Sequence, residues 1–325
     1  MKFRKTCGAS IAATVAISVL AGCSSTTGQV TGPLEKTNLV VDAFPAIDSV
    51  GLFIAEQEGL FKKQGLNVKI DLAMDSQSAI TGQLACTYDI TSADYVTYID
   101  NVLNDNAPLR IVAESSFLQP NVLTLLVKGG SRVKSIGQLK NQTISVNAPD
   151  DIGTLLIDSV LTENGVQPNT VHFNNNVQFP DVGSALASGE VAASFTREPF
   201  VSVTEMGFGA QELADLDQGA NADFPIQGVA VTQSWARSNP NTLAAFELAY
   251  SQGQEIADTN RSAVEKALES FLGMQPIAAA LVSLPSFPTD VDATPLQRIV
   301  DAMLRFGLLG PKYKSFKISS IIGNG

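Results

Sequence analysis

Short runs of alternating apolar and polar residues give way to stretches where apolar residues recur at helical spacing, so the chain reads as strands alternating with helices. Leu39-Val40-Val41 is β-rich, Phe44-Pro45-Ala46-Ile47-Asp48-Ser49 is a loop, and Val50, Phe53, Ile54 and Gln57 follow at helical spacing. Past Gly59 and Gly65, Val68-Lys69-Ile70-Asp71-Leu72 alternates as a second strand. A strand, a helix and a strand in this order imply a parallel sheet. The pattern predicts a helix over 76–84, a strand over 88–91, a helix over 94–103 and strands over 109–113 and 123–127. The composition shifts at Lys128-Gly129-Gly130-Ser131, and a second series begins. It holds strands over 143–146, 171–173 and 192–195, helices from Asp150-Asp151 to about 164 and over 181–187, and a returning strand over 229–231. The remainder is mainly helical, with starts at Asn239-Pro240 and Thr294-Pro295. In the second of these, Leu296, Ile299, Val300 and Met303 form one apolar face, closed by Gly307.

The N-terminus carries a different pattern. Lys2, Arg4 and Lys5 precede an apolar run over 11–20 that is too short to span a bilayer, which is the layout of a secretory signal. Leu20-Ala21-Gly22-Cys23 resembles a lipobox, in which Cys23 receives lipid and becomes the mature N-terminus. Residues 1–22 are then a signal peptide and 23–36, rich in Ser, Thr and Gly, a flexible tether. An exported protein, lipid-anchored to the outer face of the cell membrane or in the periplasm, follows. Cys7 leaves with the signal and Cys23 is lipidated, so Cys86 is left without a disulfide partner and reads as a buried, inert thiol. The net charge of −11, for 325 residues, becomes more negative once three basic residues leave with the signal. That acidity argues against nucleic acid or anionic lipid as a partner.

In doubly wound sheets, ligands meet the loops at the carboxyl ends of strands and the N-termini of the following helices. The first such loop supplies Asp48 and Ser49, and the third supplies Ser92, Asp94 and Tyr95, with Ser115-Ser116 as a further candidate from the same series. The second series supplies Asp151, Gly153, Thr154, Arg197 and Glu198. Asp48, Asp94 and Asp151 also suit helix N-caps, a sufficient structural role. Ser92, Gly153 and Thr154 offer hydroxyl and amide donors to an anion or a carbonyl. Arg197 suits a planar anion and Glu198 an amine, and alternation along an extended segment turns the two to opposite sides. Tyr95, Phe44, Phe117 and Phe200 are candidate stacking groups for a flat ring. The lone histidine, His172, lies in an expected strand, which leaves little for a Ser-His-Asp arrangement or a His-rich metal site. No P-loop or dinucleotide motif is present, so neither catalysis nor a metal or cofactor is expected.

Three stretches carry a family resemblance. Gly51-Leu52-Phe53-Ile54-Ala55-Glu56-Gln57-Glu58-Gly59-Leu60-Phe61-Lys62-Lys63-Gln64-Gly65-Leu66-Asn67-Val68 resembles the opening helix of ABC-transporter substrate-binding proteins in the NMT1/THI5-like group. This branch includes nitrate, alkanesulfonate, taurine and thiamine-pyrimidine binders. Val133-Lys134-Ser135-Ile136-Gly137-Gln138-Leu139-Lys140 is similar to the start of the group's second lobe, and Ala185-Leu186-Ala187-Ser188-Gly189-Glu190 to a helix-strand unit within it. Val191-Ala192 departs from the group, which carries Asp before that Ala. The resemblance implies an α/β, two-lobed periplasmic-binding-protein fold of type II, each lobe a doubly wound, mostly parallel sheet. Lobe one is expected to hold residues 37–124 and 229–325, and lobe two 125–228. It also implies capture of a small polar solute, of aminopyrimidine-like, sulfonate or nitrate class, and delivery to an ABC permease. Two alternatives stay open: an enzyme of pyrimidine synthesis, since such relatives share the fold, and an anchored sensor without an importer.

Overall fold

The computed structural model describes residues 32–73 and 75–323. The signal peptide, Cys23 and most of the tether lie outside the described residues. Among the described residues, no helix is long and apolar enough to cross a membrane.

The chain opens with strand β1 (Asn38–Ala43), helices α1 (Val50–Gln57) and α2 (Leu60–Lys63), and β2 (Asn67–Leu72). Then come α3 (Ser76–Leu84), β3 (Thr91–Asp94), α4 (Tyr95–Leu103), β4 (Leu109–Phe117) and β5 (Leu123–Val127). The second series is β6 (Thr143–Ser145), α5 (Ile152–Glu163), β7 (His172–Asn174), α6 (Val182–Ser188), β8 (Ala193–Arg197), α7 (Phe200–Phe208) and β9 (Gln211–Asp215). Strand β10 (Pro225–Thr232) is followed by helices α8 (Gln233–Ser238), α9 (Pro240–Thr259), α10 (Arg261–Leu272), α11 (Pro276–Ala279) and α12 (Ala293–Phe306).

These elements form two sheets. In the second the order is β7-β6-β8-β5-β9, with β6 parallel to β7 and β8, and β5 antiparallel to β8 and β9. In the first, β1 pairs in parallel with β2, and β10 lies antiparallel between β3 and β4. A parallel bridge from Val41 to Ile90 joins these two parts at the β1–β3 seam, giving the order β2-β1-β3-β10-β4. This is the two-lobed α/β fold that the resemblance implies. Each lobe has one reversed strand in the same place, because the chain crosses between lobes along β5 and β10. The first five residues that pair in the second sheet begin at Leu123, and β10 already pairs in the first sheet from Pro225, so the boundaries expected at 124/125 and 228/229 fall inside these strands.

Local expectations differ in a few places. Helix α12 starts two residues earlier than Thr294-Pro295 implies, because Asp292 accepts from the Thr294 amide and outcompetes Thr294 as the cap. Its apolar face and the left-handed Gly307 stop are as expected. Strand β9 and helix α7 have no clear period in the sequence. Cys86 is exposed, not buried: it sits at φ 61° in the turn after α3, which carries it away from the core.

Candidate functional site

Asp48 does not cap a helix. It lies fully buried in the 3-10 turn after β1 and accepts from Ser116 Oγ at 2.6 Å and from Arg197 Nη1 at 2.9 Å. Asp48 belongs to the first lobe and Arg197, the last residue of β8, to the second, so this ion pair closes the seam between them. Charge-assisted bonds of this kind are strong, yet burial of both ions makes each dependent on the other. The Arg197 guanidinium lies 4.9 Å from the ring centre of Phe44 in lobe one and 5.6 Å from that of Phe179 in lobe two. Its Nη1 also approaches Gln227 Oε1 at 3.4 Å. Gln227, on the crossing strand β10, donates Nε2 to Ser92 Oγ at 2.7 Å and to Ser49 Oγ at 3.4 Å. Asp48, Ser49, Ser92, Ser116, Arg197 and Gln227 thus form one buried polar network.

Glu198 turns away from Arg197, as alternation requires, but it stays buried instead of reaching solvent. Its carboxylate accepts from Ser202 Oγ, from the Ser202 amide and, across the seam, from the Ser283 amide at 2.9 Å. Its carbonyl accepts from the Ile47 amide, a second tie to lobe one. Burial pushes the Glu198 carboxyl up to about 7, against the pull of these donors.

The two helix N-termini at the seam are both self-capped. Asp94 accepts from the Thr97 amide at α4 and from Ser76 Oγ at 2.6 Å. Asp151 Oδ1 accepts from the amides of Gly153 and Thr154 at α5, and Thr154 Oγ1 donates to the Asp151 carbonyl. The donors of Gly153 and Thr154 are therefore occupied. Gly153 has a packing reason as well, since a Cβ there would come within 2.6 Å of the Phe195 ring. Burial first, then the facing charge of Asp94, pushes Asp151 up to about 7, with the Arg197 charge pulling it down. Between these caps lies a cavity of about 390 Å³ with walls from both lobes.

Tyr95 goes elsewhere. It is fully buried in the first lobe, against Gly228, where a Cβ would come within 2.5 Å of its ring. Ser115 bonds Tyr250 inside the same lobe, and Phe200 stacks on Phe179 at 5.6 Å. Phe200 also lines a second, apolar cavity at the seam, of about 640 Å³, together with Pro45, Phe179, Met206, Phe208 and Met274. Gln227, Phe179, Ser76 and Asn147 escaped the sequence reading. For Gln227 a signal existed: it is the polar break in the apolar run Ile226-Gln227-Gly228-Val229.

The model of the family described as NMT1/THI5 like matches residues 46–261, more than half of the chain. The chain belongs to the NMT1/THI5-like family. Among solved structures, this NMT1/THI5-like chain is similar to the alkanesulfonate-binding protein SsuA of Xanthomonas axonopodis pv. citri, bound to MOPS. The two are 16% identical over 88% of this chain and 98% of that one, with a TM-score of 0.73. The periplasmic nitrate-binding protein NrtA of Synechocystis PCC 6803 is similar at 13% identity over 90% and 88%, with a TM-score of 0.71. The fold also carries an enzyme, the desulfurization enzyme DSZB, at 15% identity over 84% and 93% and a TM-score of 0.64. A curated relative, the candidate binding protein YtlA of Bacillus subtilis (strain 168), is 22% identical over 210 residues, 64% of this chain and 62% of that protein. The names of these relatives describe mainly binding proteins, beside one enzyme of the same fold.

Proposed function

We propose that this NMT1/THI5-like protein is an extracytoplasmic lipoprotein that captures a small polar solute between its lobes and delivers it to an ABC importer. The observation that carries this reading is the seam: Asp48–Arg197, Ile47–Glu198 and Ser283–Glu198 join the lobes, and a cavity with walls from both lies between the caps of α4 and α5. Such contacts form only when the lobes are together, so a solute that fills the cavity selects the closed form. The crossings along β5 and β10 are the hinges of this reading, with lobe boundaries inside those strands. Sulfonate and nitrate binding by SsuA and NrtA makes small polar solutes the class to screen. Cys23 is the lipid attachment point, which supplies the anchor beside the importer.

Small-angle scattering with solutes recovered by mass spectrometry from the natively purified protein tests the binding role. The radius of gyration should fall and the melting temperature rise with the true solute. A solute that stabilises the protein without changing its scattering curve would count against hinge closure. Cys23→Ala should move the protein from the membrane to the soluble exported fraction, and retention on membranes would refute the anchor.

A further inference from the structure

Asp48 stands where an anion taken from solution would stand. One of its oxygens accepts from Ser116 Oγ at 2.6 Å and the other from Arg197 Nη1 at 2.9 Å, and the carboxylate is fully buried. A guanidinium N–H and a serine hydroxyl, both away from water, are what a small carboxylate or nitrate needs. The donor set extends past Asp48. Ser49 and Ser92 accept from Gln227 Nε2, and their own hydroxyl hydrogens meet no acceptor among the described residues. The Nε–H of Arg197 is buried and has no partner either.

Stability does not account for the pair. Desolvation of two buried ions offsets most of their attraction, so an apolar pair of the same volume would hold the lobes about as well. A bridge kept for strength would also saturate the guanidinium, whereas this one commits Nη1 to Asp48 and leaves Nε bare. What the pair does is settle the charge at the seam. The guanidinium also rests on Phe44 from lobe one and Phe179 from lobe two, 4.9 and 5.6 Å from their ring centres, contacts that do not depend on Asp48.

We infer that Asp48 is an internal anion that sets the charge selectivity of the seam: from lobe one it fills the anion position beside Arg197, and so excludes carboxylate, nitrate and sulfonate solutes. This rests on the solute-binding reading and narrows its solutes to uncharged or cationic ones. A free anion must displace a carboxylate tethered to the same chain, which competes at high effective concentration. If it settles beside Asp48 instead, it meets a like charge in a buried site. Removing the Asp48 charge leaves Arg197 as a buried, oriented cation with no counter-ion, and its planar fork then suits a planar anion.

Isothermal titration calorimetry and small-angle scattering with acetate, nitrate and ethanesulfonate, against chloride at equal ionic strength, test this on the full chain. The wild type should show no saturable binding of the three and no compaction. Asp48→Ala should bind acetate and nitrate roughly tenfold or more tightly than the wild type does. Asp48→Asn, which keeps the volume and an acceptor for Ser116, should shift the same way and carries the test if the Ala variant does not fold. Adding Arg197→Met to either variant should abolish the gain, which a merely structural role for Asp48 would not require. Compaction of the wild type by any of the three anions overturns the inference and leaves the solute-binding reading standing. So does a folded Asp48→Asn variant that binds none of them, or a gain that survives Arg197→Met. Failure of the natively purified protein to carry any solute would count against the solute-binding reading instead, whatever the variants do.

Discussion

The two lobes share one strand order, β2-β1-β3-β10-β4 against β7-β6-β8-β5-β9, yet they are not equally well supported. Behind the first sheet stand α9, α10 and α12, and the aromatic rings of Phe61, Phe246 and Tyr250 stack in series within its core. The second sheet is backed by α5, whose Ile152, Leu155, Leu156 and Val160 join the main core with Ile144 and Phe195, and by a thinner layer elsewhere. Leu126, Val182, Leu186 and Val201 form a small core cluster of their own, and α7 leaves Val203, Met206 and Phe208 exposed. The same topology therefore builds a heavy platform and a light flap. The difference lies in the chain after β10, where α9 and α10 stand with the first lobe and α12 packs against both α4 and α5. A flap of modest stability moves as a unit when its few ties to the platform are exchanged.

The largest expected effect comes from breaking the tie between the lobes. Arg197→Met leaves Asp48 buried and unpaired, which typically costs about 3–5 kcal/mol. Urea unfolding should show that loss, and Asp48→Asn combined with Arg197→Met should recover part of it. A loss in the single variant under about 1 kcal/mol would mean that the pair is water-screened.

Core truncations sharpen the contrast between platform and flap. Phe246→Ala in the first lobe should cost about 3–5 kcal/mol, and Leu186→Ala in the second about 2–5 kcal/mol. Hydrogen exchange should separate them. Leu186→Ala should speed exchange in β6, β8 and α6 while β1, β10 and α9 keep their protection, and Phe246→Ala should speed exchange in the first lobe. Equal effects in both lobes for both variants would show that the molecule opens as a single unit.

The smallest expected effect is pH dependence, and it involves both lobes. Burial pushes Asp42 up to about 7 and Glu114 up to about 8 in the first lobe, and Asp151 and Glu198 up to about 7 in the second. A carboxyl whose folded pKa is raised binds its proton more readily in the folded state. Its burial is harmless below the unfolded value near 4 and becomes destabilising as pH rises to the folded value. The melting temperature should accordingly fall from pH 5.5 to pH 8.5. Glu198→Gln should flatten part of this slope, and a rise in melting temperature over the same range would contradict the assignment.

The lobes were legible because their strands and helices are periodic and their first turns carry recognisable caps. Asp94 and Asp151 cap as their sequence positions suggest. The pairing of Asp48 with Arg197 was not legible: 149 positions separate them, and no local pattern states which two loops will meet. Each was a candidate on its own, but the sequence offered Arg197 to a ligand's anion, and the fold gives it to Asp48. Helix α7 was missed because its apolar residues, Phe200, Val201, Val203, Met206 and Phe208, cover both faces. Cys86 was misjudged for a related reason, since two apolar neighbours say nothing about a left-handed turn.

Strand β10 has a consequence for the order in which the molecule takes shape. All five strands of the second sheet lie within residues 123–215, whereas the first sheet waits for residues 225–232 to fill the gap between β3 and β4. As the chain emerges from its N-terminal end, the flap can complete itself while the platform is still an open pair of edges. Full-length chain, including α9 and α12, is needed before the first lobe is finished. A chain cut after residue 224 would therefore keep a foldable second lobe and lose the first, although most of the first lobe's strands would already have been made.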